Sequence, residues 1–377
     1  MILDEIQTIP HKYWLLMHEV ISFLAKEFDT YFIFVTATEP LIFQRHEIKS
    51  LVNKDKYFKS LNRVKIKTSI ENTKTLKEFA DETIPEVIKS EKSFLFIFNT
   101  IDSAKEFYKL LKENNLEQRE MTYLSTHVIP KERLERIKII SNKEKRVVIS
   151  TQLVEAGVDI DFDVVYRDLA PLDSINQSAG RCNRNGLLPS GEVRVVNLFD
   201  EKTGRSYSSY IYNENSILLH ITKKILADKN EIRESEFIKL INEYYKNIVE
   251  AKSDEKSRGF LQAINKLNYD GDNGITSFNL IDQGYEKVDI YVQYDDEAIT
   301  LWDKFLNIKN IQNLFERKKE FSKIKTQFHQ YVISVPYKDN LNLPAIYENI
   351  PFVSHSQIEE YYDNETGYKL KGGVAVW

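Results

Sequence analysis

The chain has 377 residues, with 52 Lys plus Arg against 57 Asp plus Glu, a formal net charge of −5. That balance excludes a uniformly basic binder of phosphate backbones, although a local basic groove stays open because nucleic-acid affinity follows local charge. The single cysteine, Cys182, excludes an internal disulfide framework and a cysteine-cluster zinc site, and at about 150 residues per domain the length implies two or three domains.

In chain order, Ile2-Leu3 reads as the end of a buried strand that runs directly into Asp4-Glu5-Ile6-Gln7, with acids where a secretion signal carries bases. Between His11 and Phe28, the apolar residues Trp14, Met17, Ile21, Leu24 and Phe28 recur at three- and four-residue steps, which predicts an amphipathic helix. Residues 31–35 predict a buried strand ending in Thr36-Ala37-Thr38. Residues 41–90 are Lys-rich and weakly patterned, and include the passage between two lobes. From Phe94 the alternation is regular. Strands are predicted at 94–98, 123–125, 146–151, 164–166 and 193–196; helices start at Asn99 or Thr100 and at Pro130, and a further one covers 172–184. Strands separated by helices give a doubly wound α/β lobe. Residues 207–268 predict a long helical stretch, closed by the turn signals Asp270-Gly271 and Asn273-Gly274. Strands at 288–292 and 331–335, with a helix over 296–328, then make a small α+β module. Apolar runs such as 31–35 and 94–98 are five residues long, against about 20 for a membrane span. A cytoplasmic protein with no membrane contact is expected.

Ligands bind at strand ends in such a lobe, and four sets of residues sit there. Asp4-Glu5 suits a nucleotide hydrolase, the Asp holding Mg²⁺ and the Glu polarising water. Asp-Glu recurs at 81, 200, 254 and 296, so a solvated acidic turn is the simpler reading of that pair alone. Thr36-Ala37-Thr38 alone is a strand-to-loop turn with hydroxyl caps. Ser150-Thr151-Gln152 leads into Glu155-Ala156-Gly157-Val158-Asp159-Ile160-Asp161. There Gly157 lets backbone pass close to a ligand and Asp159 can accept from a sugar hydroxyl; the plain reading is a glycine turn with surface acids. Gln177-Ser178-Ala179-Gly180-Arg181-Cys182-Asn183-Arg184 sets two arginines three apart, on one face if helical, where guanidinium forks suit phosphate oxygens. The plain alternative is a helix with exposed arginines.

The order of these sets resembles a superfamily-two helicase. Asp4-Glu5-Ile6-Gln7 resembles its motif two, Thr36-Ala37-Thr38 motif three, residues 96–100 motif four, residues 150–161 motif five and residues 177–184 motif six. Within that superfamily the sequence is most similar to the CRISPR-associated helicase of type I systems. This narrower resemblance rests on Asp-Glu-Ile-Gln-Thr-Ile-Pro at 4–10 and on Leu124-Ser125-Thr126-His127 leading into Pro130-Lys131-Glu132-Arg133. It rests also on Gly180-Arg181-Cys182-Asn183-Arg184-Asn185-Gly186. The motif-bearing match covers about residues 1–200.

The resemblance implies an α/β fold with RecA-like parallel-sheet lobes. Residues 1–45 would be the C-terminal remnant of the first lobe, 46–204 the complete second lobe, 205–274 a helical linker and 275–377 an accessory α+β C-terminal domain. It implies ATP-dependent translocation on, or unwinding of, single-stranded DNA during CRISPR interference, with ATP and Mg²⁺ as cofactors. Asp4 would coordinate Mg²⁺ through water and Glu5 would be the catalytic base. Gln7, Thr36 and Thr38 would couple the nucleotide to the DNA site. Asn99, Thr100, Thr126 and Thr151 would lie near DNA phosphates, Gly157 and Asp159 at the nucleotide edge. Gln177, Arg181 and Arg184 would reach the γ-phosphate across the cleft. Many relatives carry Arg directly after the motif-six Gln; here it is Ser178, which leaves Arg181 and Arg184 as candidate fingers.

A phosphate-binding loop needs Gly-Lys-Ser/Thr at a helix start, and none of the 12 glycines is followed by lysine. No histidine is followed by aspartate, as a fused nuclease domain would need. The resemblance then implies a C-terminal part of a longer protein, partnered by a missing N-terminal helicase half in cis or in trans and by a CRISPR surveillance complex. Little ATP hydrolysis is expected from the chain alone, as is an unpaired sheet edge with an exposed apolar face in residues 1–45. The alternatives are a non-catalytic nucleic-acid- or complex-binding module derived from a helicase, and a helicase fragment acting on RNA.

Overall fold

A computed structural model describes residues 1–53, 61–114, 120–141, 146–213, 215–271, 274–280, 286–337 and 343–370; the turn signal at Asn273 lies outside them. Near the N-terminus, β1 (Ile2–Asp4) leads through α1 (Trp14–Glu27) to β2 (Ile33–Val35). The two strands pair in parallel, Leu3 opposite Phe34, as a sheet of their own. Ile2, Ile33 and Val35 are exposed on it, as are Phe23, Phe28 and Tyr31 nearby. This is the exposed apolar face expected in residues 1–45, and it corrects the reading of 2–3 and 31–35 as buried strands, since no residue of β1 or β2 is buried.

The main lobe alternates β3 (Val64–Thr75), α2 (Leu76–Lys89), β4 (Phe94–Ile97), α3 (Ile101–Glu113), β5 (Met121–Leu124), α4 (Pro130–Ser141), β6 (Val147–Ser150), β7 (Val164–Asp168), α5 (Leu172–Ala179) and β8 (Gly191–Phe199). After it come α6 (Tyr207–Tyr212), α7 (Ile217–Leu226), β9 (Glu231–Arg233), α8 (Glu234–Ala251) and α9 (Glu255–Asn265). The sheet order is β5-β6-β4-β7-β8-β3-β9, parallel throughout except for β9 against β3. β4, β6 and β7 are buried at every position, which is why they read as unbroken apolar runs: a parallel sheet carries helices on both faces. Thr100 caps α3 by accepting from the Ser103 N–H, and Pro130 opens α4. The fold is the expected α/β lobe around a parallel sheet.

Within the Lys-rich stretch 41–90, no strand or helix was read from the sequence, yet β3 and α2 form there and belong to the lobe. Val64 and Ile66 are buried, while Lys65 and Lys67 point outward to Glu231 and Glu192. β9 adds a strand inside the expected helical linker and carries the sheet past residue 204, and Ile221, Ile225, Phe237, Ile241 and Ile248 join the core of that sheet. The helix expected over 296–328 is two, because Asn313 caps the second by accepting from the Phe315 and Glu316 N–H groups.

The C-terminal module comprises β10 (Lys287–Val292), α10 (Asp296–Lys309), α11 (Leu314–His329), β11 (Val332–Pro336), β12 (Ile346–Tyr347), β13 (Ile350–Val353), α12 (Ile358–Tyr361), β14 (Tyr362–Asp363) and β15 (Gly367–Tyr368). Its main sheet runs β11-β10-β13-β12. It is fastened to the loop between β5 and α4. Ile129 packs in the module's own core. The Ile129 N–H donates to the Tyr362 hydroxyl at 3.0 Å, and the Tyr368 N–H donates to the His127 carbonyl at 2.8 Å. Gly367 is required there: its φ is +79°, and a Cβ would lie 2.3 Å from the His127 oxygen. Among the described residues no helix is long and apolar enough to cross a membrane.

Candidate functional site

Because β4, β6 and β7 are parallel neighbours, the loops that follow them share one rim of the sheet. Asn99 and Thr100 follow β4, and both are buried. Asn99 donates to Asp168 Oδ2 at 2.7 Å and to the Leu169 carbonyl at 2.8 Å, so its side chain faces inward rather than toward a phosphate. Thr151, after β6, is also buried, whereas Thr126 on the β5–α4 loop is exposed.

Past Thr151 a short turn brings the chain to Gly157, whose φ of +70° favours glycine and around which a Cβ would meet nothing within 4 Å. Asp159 follows with its side chain 90% exposed. It pairs with Arg184 at 3.1 Å, and Arg184 is itself 41% exposed.

The two arginines do not share a helix face, which corrects the sequence expectation. α5 ends at Ala179. Beyond Gly180 the chain turns extended to pair with Phe162: the Phe162 N–H donates to the Arg181 carbonyl at 3.0 Å, and the Asn183 N–H to the Phe162 carbonyl at 2.8 Å. Asn183 takes φ +43° and its side chain ties Arg63 and Leu188 together. Gly191 lets β8 pass this loop, since a Cβ would sit 2.6 Å from Cys182 Sγ.

As a result the arginines differ. Arg181 is buried, and its Nε and Nη2 donate to the Val154 and Glu155 carbonyls at 2.7 and 2.6 Å. Burial, then the neighbouring Arg184 charge, lowers its pKa, and Asp159 and Glu5 pull the other way. Arg184 is the freer of the two. Gln177 lies half-buried on the last turn of α5.

Glu5 precedes the first turn after the N-terminal strand. It sits at φ +53° directly after β1. Gln7 donates from Nε2 to the Glu5 carboxylate, and Thr36 donates from its hydroxyl to the Gln7 side-chain Oε1. Thr38 is buried against the Tyr245 hydroxyl. Asp4 is exposed, with Oδ1 accepting from the Glu5 N–H at 2.9 Å. Among the described residues no group of three His, Cys, Asp or Glu is gathered as a metal cage.

Sequence reasoning assigned no role to Glu155 or Arg167, yet both lie at the centre of the rim. Arg167 is wholly buried, 2.8 Å from Glu155. The signal was available: an arginine directly after the apolar run Val164-Val165-Tyr166.

Residues 90–187 match the family described as CRISPR-associated nuclease/helicase Cas3, C-terminal. The CRISPR-associated nuclease/helicase Cas3 of Methanothermobacter thermautotrophicus is 27% identical over 250 residues, covering 60% of this chain and 28% of that protein. The crystal structure of T. fusca Cas3 with ADP aligns at a TM-score of 0.64 and 16% identity, over 97% of this chain and 50% of that one. A chain of a CRISPR RNA-guided surveillance complex, pre-nicking, aligns at a TM-score of 0.58 and 14% identity, over 89% of this chain and 50% of that one.

The chain is similar to the C-terminal part of a CRISPR type I helicase. It spans about half the length of these two solved chains, and a smaller share of the curated relative. The Cas3 family match covers β4 through the loop after α5, and so contains the rim, Arg181 and Arg184.

Proposed function

We propose that this chain carries the second-lobe half of an ATP-dependent translocase on single-stranded DNA that serves CRISPR type I interference. The observation that carries the reading is the match of residues 90–187, which hold the rim, Arg181 and Arg184, to the C-terminal family of the Cas3 nuclease/helicase; in this reading the Asp4-Glu5 strand end and the arginine loop would face one cleft. The residues present fit one side of a nucleotide·Mg²⁺ site. Asp4 has an exposed carboxylate for a hydrated cation, Arg184 an exposed guanidinium, and Gly157 an open backbone. The phosphate cradle would come from a partner half, in cis or in trans, since no glycine here precedes a lysine. When bound, Mg²⁺ and ATP supply the phosphoryl group and neutralise its charge.

In this reading Glu5 accepts a proton from the attacking water and Gln7 holds that carboxylate in place. Arg184 offers its guanidinium to the γ-phosphate, while Arg181, committed to two carbonyls, sets the loop. Gly157 and Asp159 edge the nucleotide, and Gln177 lies beside them on α5. Thr36 and Thr38 link Gln7 to the packing of α8. Asn99, Thr100 and Thr151, all buried, brace the rim from inside, and Thr126 offers its exposed hydroxyl to passing phosphates. The chain alone hydrolyses little ATP. The similarity to a chain in a surveillance complex supports such a complex as the recruiting partner.

Fluorescence anisotropy with a labelled oligo-dT and its RNA counterpart tests the substrate. The reading expects DNA binding that falls with salt, at a log–log slope of about −0.7 per phosphate neutralised, and that weakens in Thr126→Ala. Preference for RNA, or no binding of either strand, favours the alternatives of an RNA helicase fragment or a complex-binding module.

A further inference from the structure

The rim is tied together from inside by one buried ion pair. Arg167 lies 2.8 Å from Glu155 Oε1 with its side chain fully enclosed. Its Nη1 donates to Asn99 Oδ1 at 2.8 Å and to the Asp168 carbonyl at 2.9 Å. Its Nη2 donates to the Ser174 hydroxyl at 3.0 Å and to the Tyr212 hydroxyl at 3.2 Å. Glu155 receives Ser174 at 2.8 Å and Ser178 at 3.1 Å, both from α5. The Glu155 carbonyl is one of the two that hold Arg181, and Gln152 Nε2 donates to the Asn99 carbonyl at 3.1 Å. A continuous line of polar contacts therefore runs from Arg181 through Glu155 and Arg167 to Asn99.

Such a pair is a poor way to stabilise a core. Two charges leave water, and apolar residues of similar volume serve stability as well or better. The contact between the two is an ion pair in which Arg167 Nε makes no hydrogen bond, but each charge gathers directional, charge-assisted hydrogen bonds from its neighbours, and these fix groups from separate loops in one geometry.

We infer that Arg167 and Glu155 are positioning residues, holding the loops that carry Asn99, Thr151 and Arg181 in one relative arrangement. Their effect on ligands rests on the function proposed above; their effect on the loops does not.

The test replaces the pair together, Glu155→Leu with Arg167→Met, and measures melting temperature, amide hydrogen exchange and oligo-dT affinity in the full chain. Single replacements leave one charge buried without its partner and are expected to destabilise the chain or prevent folding. The double replacement removes both charges. Asn99 Oδ1 and the Ser174, Ser178 and Tyr212 hydroxyls lose these partners, so a melting temperature somewhat below that of the wild type is expected, with exchange at residues 99–101, 151–157 and 178–184 faster by roughly tenfold or more. Exchange elsewhere in the sheet stays unchanged, and oligo-dT binding weakens. Unchanged exchange in those loops overturns the inference. So does faster exchange spread evenly over the whole sheet, because the pair is then a general stability element. Loops that loosen in a protein that binds no DNA in any form leave the positioning role intact and overturn the proposed function instead.

Discussion

The hydroxyl groups of Thr38 and Tyr245 lie 2.8 Å apart, joining positions 207 residues apart in sequence. Thr38 follows β2, and Tyr245 belongs to α8, which packs in the core of the main lobe. The same seam is reinforced by Trp14 against Tyr245, and by Ser257 of α9, which accepts from the Leu16 N–H and donates to the Lys12 carbonyl. The N-terminal sheet is thus held by the helices that follow the main lobe. A two-stranded sheet has little stability of its own, so its docking depends on this seam.

Tyr245→Phe leaves the Thr38 hydroxyl buried without its partner and is expected to cost about 1–3 kcal/mol. Adding Thr38→Val removes the second polar group and should recover most of that loss, because the cycle then contains no unsatisfied atom. Urea denaturation of the wild type, both singles and the double checks this. Equal stability in all four would show that the hydroxyl pair holds nothing.

The C-terminal module is locked by Lys131, whose Nζ reaches Asp295 at 2.7 Å, Glu297 at 2.9 Å and the Tyr331 hydroxyl at 2.7 Å. These groups are partly solvated, so Lys131→Met should cost only about 1 kcal/mol, and less at high salt. Gly367→Ala is expected to be more damaging, at about 2–4 kcal/mol, since it combines a left-handed backbone with a backbone clash on His127. Hydrogen exchange should report both as loosening at residues 127–130 and 362–368. A Gly367→Ala variant with wild-type protection there would contradict the docked arrangement.

Two buried groups set opposite pH trends. Burial, with the nearby Lys105 charge, drives the His127 pKa down to about 3. The unfolded chain binds a proton near pH 6.5 that the folded chain refuses, so this contribution falls as the solution is acidified below that point. Burial raises the Asp168 pKa to about 7, against the pull of Arg167. The folded chain keeps a proton that an unfolded aspartate releases near pH 3.9, so this contribution grows as pH falls from 7 toward 4. His127→Gln should therefore be relatively more stable at pH 5.5 than at 7.5, and Asp168→Asn relatively less so. Urea midpoints at the two pH values measure both slopes, and slopes of the reverse sign would contradict these environments.

Much of this was legible in the sequence. The runs at 94–98, 146–151 and 164–166 announce buried parallel strands, and Thr100 and Pro130 mark helix starts where they occur. β3 was obscured because its outward lysines made an alternating strand look like a charged linker, and β9 is only three residues long. The arginine loop was misplaced for a different reason. Residues 177–184 carry a helical spacing, but pairing with Phe162 draws the chain out of the helix after Gly180. Local pattern could not show that, nor that Asn99 would turn inward to Asp168.

The central claim is that this chain supplies the Glu5 and Arg184 side of a nucleotide site completed by another half. The most direct measurement is ATP hydrolysis by the purified chain mixed with a separately expressed N-terminal helicase half carrying the Gly-Lys-Thr loop, with and without single-stranded DNA. The account predicts DNA-stimulated turnover only in the mixture, reduced by about 10²-fold or more in Glu5→Gln and in Arg184→Ala. A verified complex of two folded halves with no turnover, or turnover indifferent to both substitutions, would contradict it.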